Sequence, residues 1–441
     1  MRHPPKTGVV IFLSSYNRYM INYILWVFLL FFAYITWRNF RTGLYLILLF
    51  IPTYLIKFQF FSIPTTLLEL IIYTAFVVWL LMVITKKTNI NYSAVKPYFW
   101  PIVLIIIGLL AGIIISPDKR LSLGIFKGWF IDPALVFVML VSSLNKLLHL
   151  KKAILALIGS GFSLSLVAMC QVLSNNYITI DQRASALFES ANYLSLYLVP
   201  IIILALGFVL SLKSKKRWWW LLVLATMSAA LYFTFSYSGW LGLLIGLGFG
   251  ALIYLPFWPT LISGLVLFVS VIATQLNHPK FQQMLDFANR SSSSVRLQVW
   301  QSSLLMLKEN PILGIGLGLF EKRYPDFVVR LFNPPLEPIM LHAHNLFLHS
   351  WLNLGLIGLA GAIWVVVNFF KQVWVAIKQD KNIIAVSVMA SMVALLTHGL
   401  FDTPYWKNDL SILFWAILAF GIILNQNANT QRRKTSLPDR S

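Results

Sequence analysis

Residues 344–358 read HNLFLHSWLNLGLIG, and this stretch decides the fold class. A histidine and an asparagine stand at the mouth of an apolar run that continues to about residue 369. That run is long enough to cross a bilayer, which takes about 20 mostly apolar residues. Just upstream lies the longest polar region of the chain, roughly 275–343, with Arg290, Arg296, Lys322, Arg323 and Arg330. A titratable imidazole at a water–lipid boundary, beside that much positive charge, suggests chemistry on an anionic, lipid-borne substrate.

Working outward, the whole chain has the same character. It has 441 residues, 59% of them hydrophobic and 11% charged. A soluble domain of that length could not bury so much apolar surface. Candidate spans fall near 19–36, 43–60, 66–85, 98–116, 121–144, 153–173, 192–212, 218–235, 239–256, 257–275, 344–369, 383–400 and 409–425. The expected fold is an all-α polytopic membrane protein of about 12–13 transmembrane helices. One membrane domain is expected over 1–441, with the helical insert 275–343 inside it. The net charge of +21 comes from short clusters between apolar runs, so it does not point to nucleic acid. The single cysteine, Cys170, excludes an intrachain disulfide and a multi-cysteine metal site; inside an apolar run it reads as a small core residue. The first apolar run lacks a clear cleavage site and is expected to be retained.

The basic clusters set an expected orientation. Lys213, Lys215, Lys216 and Arg217 abut Trp218, Trp219 and Trp220, which marks a cytoplasmic interface. Counting from there, 174–191, 236–239, the insert and 401–408 fall outside. The segment 371–381 and a C-terminal tail with Arg432, Arg433 and Lys434 fall inside. Lys119, Arg120 and Lys127 break the pattern by falling outside.

The outer face then carries Arg183, Tyr237, Arg296, His342, His344, His398 and Asp402. Its acids, Asp286 among them, are scattered, with no DxD, HExxH or EF-hand spacing, so neither a metal nor another cofactor is expected. Without a metal, a departing diphosphate needs other cations, and the planar fork of arginine binds phosphate oxygens in pairs. A hydroxyl attacking an anomeric carbon must lose its proton, a task for histidine near neutral pH. Each residue also has a plainer reading. Arg296 could anchor an interfacial helix and His344 could cap a span. His342 reads as structural. Lys57 and Glu69 read as an ion pair. The stretch PILGIGLGLF (311–320) reads as a tight turn, since its glycines do not follow GxGxxG.

Several segments, in order, resemble the O-antigen ligase/polymerase family. They are RASALFESANYLSLYLVP (183–200), RLQVWQSSLLMLKENPILGIGLGLF (296–320), HAHNLFLHSWLNLGLIGL (342–359) and HGLFDTPYW (398–406). The resemblance covers about 180–425. It implies a GT-C-like helical fold in the bacterial cytoplasmic membrane, and the charge count above puts the C-terminus on the cytoplasmic side. It also implies inverting, metal-independent transfer of a glycan from an undecaprenyl-diphosphate carrier to a lipid- or protein-linked acceptor on the outer face. Arg296 would grip the diphosphate and His344 would activate the acceptor hydroxyl, supported by Asn345, His398 and Asp402. One departure stands out. The family has S-R-G-x-W where this chain has SYSGW (236–240), so Tyr237 replaces an arginine of the diphosphate site. Either Arg183 or another insert arginine compensates, or donor binding differs, or activity is weak. Related alternatives are a repeat-unit polymerase and a protein O-oligosaccharyltransferase. A flippase for polyisoprenyl-linked glycans would show repeated halves and midplane charges. A non-catalytic membrane scaffold would fit the missing arginine.

Overall fold

The computed structural model describes residues 15–60, 63–213, 215, 217–277, 280–282 and 291–436. Lys216, Asp286 and Arg290 lie outside them, as do the side chains of Arg433 and Lys434. The described chain is helical apart from one short hairpin. Its helices are α1 (Ser15–Arg38), α2 (Phe40–Leu49), α3 (Leu67–Ile84), α4 (Tyr92–Val95), α5 (Phe99–Ile115), α6 (Lys119–Phe126), α7 (Asp132–Ser143), α8 (Leu147–Ser174) and α9 (Ala191–Leu210). They continue with α10 (Arg217–Tyr232), α11 (Tyr237–Leu252), α12 (Phe257–Ala273), α13 (Ser292–Glu309), α14 (Phe320–Leu331), α15 (Leu346–Asp380), α16 (Ile383–His398) and α17 (Asn408–Ser436).

This is an all-α polytopic membrane fold. Among the described residues, seven helices are long and apolar enough to cross a bilayer, and shorter apolar helices include α2, α11, α12 and α16. The α9 and α17 helices run through the middle and are almost wholly buried. Helices around them turn large apolar side chains outward, such as Ile84, Ile114, Leu265 and Val269. Outward apolar surface on that scale is what lipid, not water, would cover. Cys170 is exposed on α8, not in the core.

The expected span 43–60 is not one helix. The α2 helix has only 10 residues, about 15 Å of rise. Pro52 then opens a 3-10 turn over Ile51–Leu55. An antiparallel hairpin follows, pairing Lys57–Phe60 with Ile63–Thr66. Thr66 caps α3 by accepting from the Glu69 amide. Glu69 pairs with Lys127 at 2.7 Å instead of Lys57, and Thr65 also donates to it. Lys119 donates to the carbonyls of Ile113 and Ile114 at the end of α5. Two of the three cations that broke the charge pattern are thereby engaged by local partners.

The insert forms α13 and α14 around a small core of its own, including Val299, Met306, Phe320, Tyr324 and Val328. A capping box between Ser291 and Ser294 starts α13, and Asn310 ends it. The glycine turn that follows is wedged into a break in α15. Gly314, Gly316 and Gly318 all have positive φ. Ile315 donates to the Leu352 carbonyl and Leu356 donates back to that of Ile312, each at 2.8 Å. The α15 backbone opens at Gly355, with φ 66°. A Cβ there would lie 2.4 Å from the Ile312 oxygen, so only glycine fits. The apolar run from 344 is thus a broken helix, not a continuous one.

Candidate functional site

Four turns meet at one end of the bundle. The loop before α9 is tied to the α10–α11 turn by hydrogen bonds from Ala184 to the Phe233 carbonyl and from Arg183 to that of Thr234. The start of α15 is tied to the α16–α17 turn. There Leu346 donates to the Gly399 carbonyl, and the Asn345 amide donates to that of Leu400. Asn345 also caps α15, its side-chain oxygen accepting from the Phe347 and Leu348 amides at 3.0 Å.

The insert clamps onto the second pair of turns through one face of α13. Arg296 and Trp300 stand one helical turn apart. The Arg296 Nε donates to the Phe401 carbonyl at 3.0 Å, and the Trp300 indole donates to the His344 carbonyl at 3.3 Å. His344 is held in the left-handed region, φ 46°, just ahead of the helix. That conformation is costly for a residue with a Cβ, and the surrounding hydrogen bonds hold it there.

His344 faces Asp402, with Nδ1 and Oδ1 3.3 Å apart. The imidazole keeps 24% of its surface exposed, whereas the carboxylate keeps 4%. Asp402 Oδ1 also accepts from the Thr403 amide. Burial alone would raise the Asp402 carboxyl. The hydrogen bond from His344 and the nearby side chains of His344, Arg296 and His398 outweigh that, and hold it well below the usual carboxylate range. An ionised Asp402 favours the proton on Nδ1 and leaves Nε2 of His344 free to accept one.

The two arginines differ in how they are held. Arg296 is half-buried, and among the described residues its two terminal nitrogens have no hydrogen-bond partner. Arg183 is 6% exposed and fully engaged. Its Nε donates to the Thr234 carbonyl at 2.6 Å, one terminal nitrogen to Asp181 and the other to Asn192. Burial lowers its pKa, against the opposing effect of Asp181. Tyr237 lies within range of the Arg183 charge. Its ring packs edge-on against Trp240 and Phe281, and its buried hydroxyl has no partner among the described residues. His398 is buried behind Asp402, its Nε2 also without a partner among the described residues.

Two groups in this neighbourhood, His349 and Lys407, escaped the sequence reading. His349, five residues after His344, is 3% exposed and stacks edge-on between His342 and Trp406. His342 itself is pushed down to about 4, first by burial and then by His344. Lys407 lies under the rings of Tyr193, Phe188 and Tyr54, with its ammonium 3.7 Å from the Tyr193 centroid. The run HAHNLFLHS was the available signal for His349, since spacing alone puts three imidazoles on the lip of one span. Nothing local in TPYWKND marks Lys407, because its three rings come from distant segments. Among the described residues, no group of three or more His, Cys, Asp or Glu side chains is arranged to hold a metal ion.

Residues 222–363 match the family model described as O-antigen ligase. The match takes in Tyr237, Arg296, His344 and Asn345, and ends before His398 and Asp402. A 309-residue stretch is 23% identical to the O-antigen ligase of Salmonella typhimurium, spanning 65% of this chain and 74% of that protein. A Rickettsia conorii protein described provisionally as a polysaccharide ligase is 29% identical over 150 residues, 34% of this chain and 35% of that protein. A Rickettsia typhi protein with the same description is 29% identical over 116 residues, 26% of this chain and 28% of that protein.

Proposed function

Starting from an O-antigen ligase segment over residues 222–363, we propose that this protein transfers a glycan from an undecaprenyl-diphosphate carrier to an acceptor hydroxyl. The reaction is placed at the outer face of the cytoplasmic membrane, in the making of cell-surface polysaccharide. The observation that carries this reading is the pairing of His344 with buried Asp402, next to the open fork of Arg296.

In the proposed step, the acceptor oxygen attacks the anomeric carbon as the bond from that carbon to the diphosphate oxygen breaks. The diphosphate leaves with the bonding electrons, and the hydroxyl proton passes to Nε2 of His344. Asp402 keeps the imidazole in the accepting tautomer and stabilises the imidazolium that forms, the logic of a nucleophile–base–orienter triad with the hydroxyl supplied by the substrate. A single displacement inverts the anomeric centre. The terminal nitrogens of Arg296 are the groups available to take up charge on the departing diphosphate, where preorganised donors contribute most. Arg183 acts from behind, as a fixed charge that positions the α10–α11 turn.

Carboxylates in this neighbourhood are scattered or engaged, so the reaction is proposed to need no metal. The test is transfer by purified protein with an undecaprenyl-diphosphate glycan and candidate acceptors, with and without EDTA. Transfer that persists in EDTA and inverts the anomeric centre supports the reading. Loss in EDTA that Mg²⁺ restores, or retention of configuration, would overturn it.

A further inference from the structure

Where the insert meets α6 there is an open pocket of about 410 Å³ that the chemistry described so far leaves unused. It is lined by Asp118, Arg120, Leu121, Gly124, Ile125 and Trp129. The insert fixes one side of it. Ser122 donates to the Leu317 carbonyl at 2.8 Å, and Lys322 of α14 pairs with Asp118. Asp118 also caps α6 by accepting from the Leu121 amide. One of these bonds falls on each carboxylate oxygen, so both oxygens keep a lone pair for a further donor. Arg120 is exposed, and its guanidinium has no hydrogen-bond partner among the described residues. At Gly124 an added Cβ would meet nothing within 4 Å, so this helix position leaves the pocket open.

Trp129 supplies a rigid aromatic wall. It is carried by a π-helical turn, Lys127–Ile131, that joins α6 to α7. Such turns are rare and gather at functional sites. The indole donates to the Asn408 side chain at 3.0 Å, and the Trp129 carbonyl accepts from the Tyr405 hydroxyl. Its ring packs edge-on against Trp406, with 6.0 Å between centroids. Trp406 packs in turn against His349, and His349 against His342, two residues before His344. A wall of packed rings therefore separates the pocket from the reacting groups and joins it to them.

The lining suits a sugar. The electron-rich face of a fixed indole accepts the C–H face of a sugar ring. A carboxylate with spare lone pairs and an open guanidinium fork match neighbouring hydroxyls, each of which donates and accepts. We propose that this pocket is a subsite for a sugar of the substrate glycan beyond the one that reacts. The proposal rests on the glycan transfer proposed above. It makes affinity grow with glycan length, because contacts remote from the reacting carbon hold the whole chain. The donor glycan and a saccharide acceptor both offer this chemistry, and the test separates them.

The test measures transfer by the full-length protein in lipid nanodiscs. The donor is undecaprenyl-diphosphate glycan, used whole and trimmed to its first sugar. The acceptor is likewise used whole and trimmed to the sugar that receives the glycan. Gly124→Leu fills the pocket and improves a helix position, so the thermal midpoint should not fall. It should raise the KM of the whole substrate that occupies the pocket about tenfold, toward that of its trimmed form. Arg120→Ala should raise it severalfold. A rise for the donor alone assigns the pocket to the donor glycan, and a rise for the acceptor alone assigns it to the acceptor. A length dependence that survives in both variants would overturn the proposal, as would equal losses for whole and trimmed substrates. Binding is read apart from transfer, by calorimetry with the free oligosaccharides of donor and acceptor. The parent protein should bind one of them and Gly124→Leu should not; equal binding by both proteins, or by neither, would overturn the pocket. A parent protein that binds the oligosaccharide but transfers no glycan would sink the transfer reading and leave the pocket standing.

Discussion

The loop before α9 and the polar insert each bring an arginine to the same end of the bundle, on very different supports. Arg183 has its three donor nitrogens engaged and almost no exposed surface. Arg296 is anchored by Nε alone, with its terminal fork unpartnered among the described residues. Anchoring at one nitrogen fixes the direction of the guanidinium and leaves two donors for a ligand. Engagement at all three converts the same side chain into a strut. The position of an arginine along the chain does not distinguish these cases; the count of its acceptors does.

On the proposed function, chemistry falls to the insert side and architecture to the Arg183 side, and the variants below are chosen to break that division. The largest effect is expected at His344. His344→Ala should lower transfer by about 10²–10⁴-fold, the usual contribution of a general base, with the protein still folded and inserted. Normal turnover would remove the histidine mechanism. Arg296→Lys keeps the charge but loses the fork, and should cost about 10²–10³-fold in kcat with an unchanged thermal midpoint. A silent Arg296→Lys would mean that paired donors to the diphosphate are not needed.

Arg183→Lys should behave the other way. Losing charge-assisted hydrogen bonds in a buried setting costs roughly 1.5–3 kcal/mol each, so the thermal midpoint falls while the fully folded fraction keeps most of its kcat. A drop in kcat with the midpoint unmoved would reverse the two roles. Tyr237→Arg probes the place where the regions touch. If an added guanidinium reaches the diphosphate, the donor KM falls, by up to about tenfold for one good charged contact. Unchanged donor affinity would mean that the diphosphate is held away from residue 237.

Much of this arrangement was legible from the sequence, and the exceptions share a cause. Apolar run lengths located the helices, and Asn310–Pro311 ended the insert helix where turn chemistry requires. The glycines at 314, 316 and 318 announced a tight turn, and all three have positive φ. The break in α15 was hidden, because Gly355 in an apolar run is compatible with a continuous helix. It opens only because residues 312–315 donate to and accept from it. The hairpin at 57–66 was hidden by an apolar stretch that Pro52 interrupts. Arg183 read as a free cation because its acceptors, the Thr234 carbonyl and Asn192, lie 51 and 9 residues away. Local pattern reports what a segment prefers; hydrogen-bond saturation depends on segments that fold against it.

The smallest effect is a pH dependence expected from the insert side. His342 sits on the insert side, and its imidazole is pushed down to about 4 by burial, against about 6.5 in an unfolded chain. The unfolded state therefore binds more protons between these values, and stability rises with pH across that window. The contribution is complete above about 6.5 and is lost as pH falls toward 4. The depressed carboxyl of Asp402 has the same sign, but its stability is lost only as pH falls below about 3.9, outside this window. His342→Gln should make the fall in thermal midpoint between pH 6.5 and 4 shallower while leaving the midpoint at pH 8 nearly unchanged. A slope identical to that of the parent protein would show that the pH response in this window originates at groups other than His342.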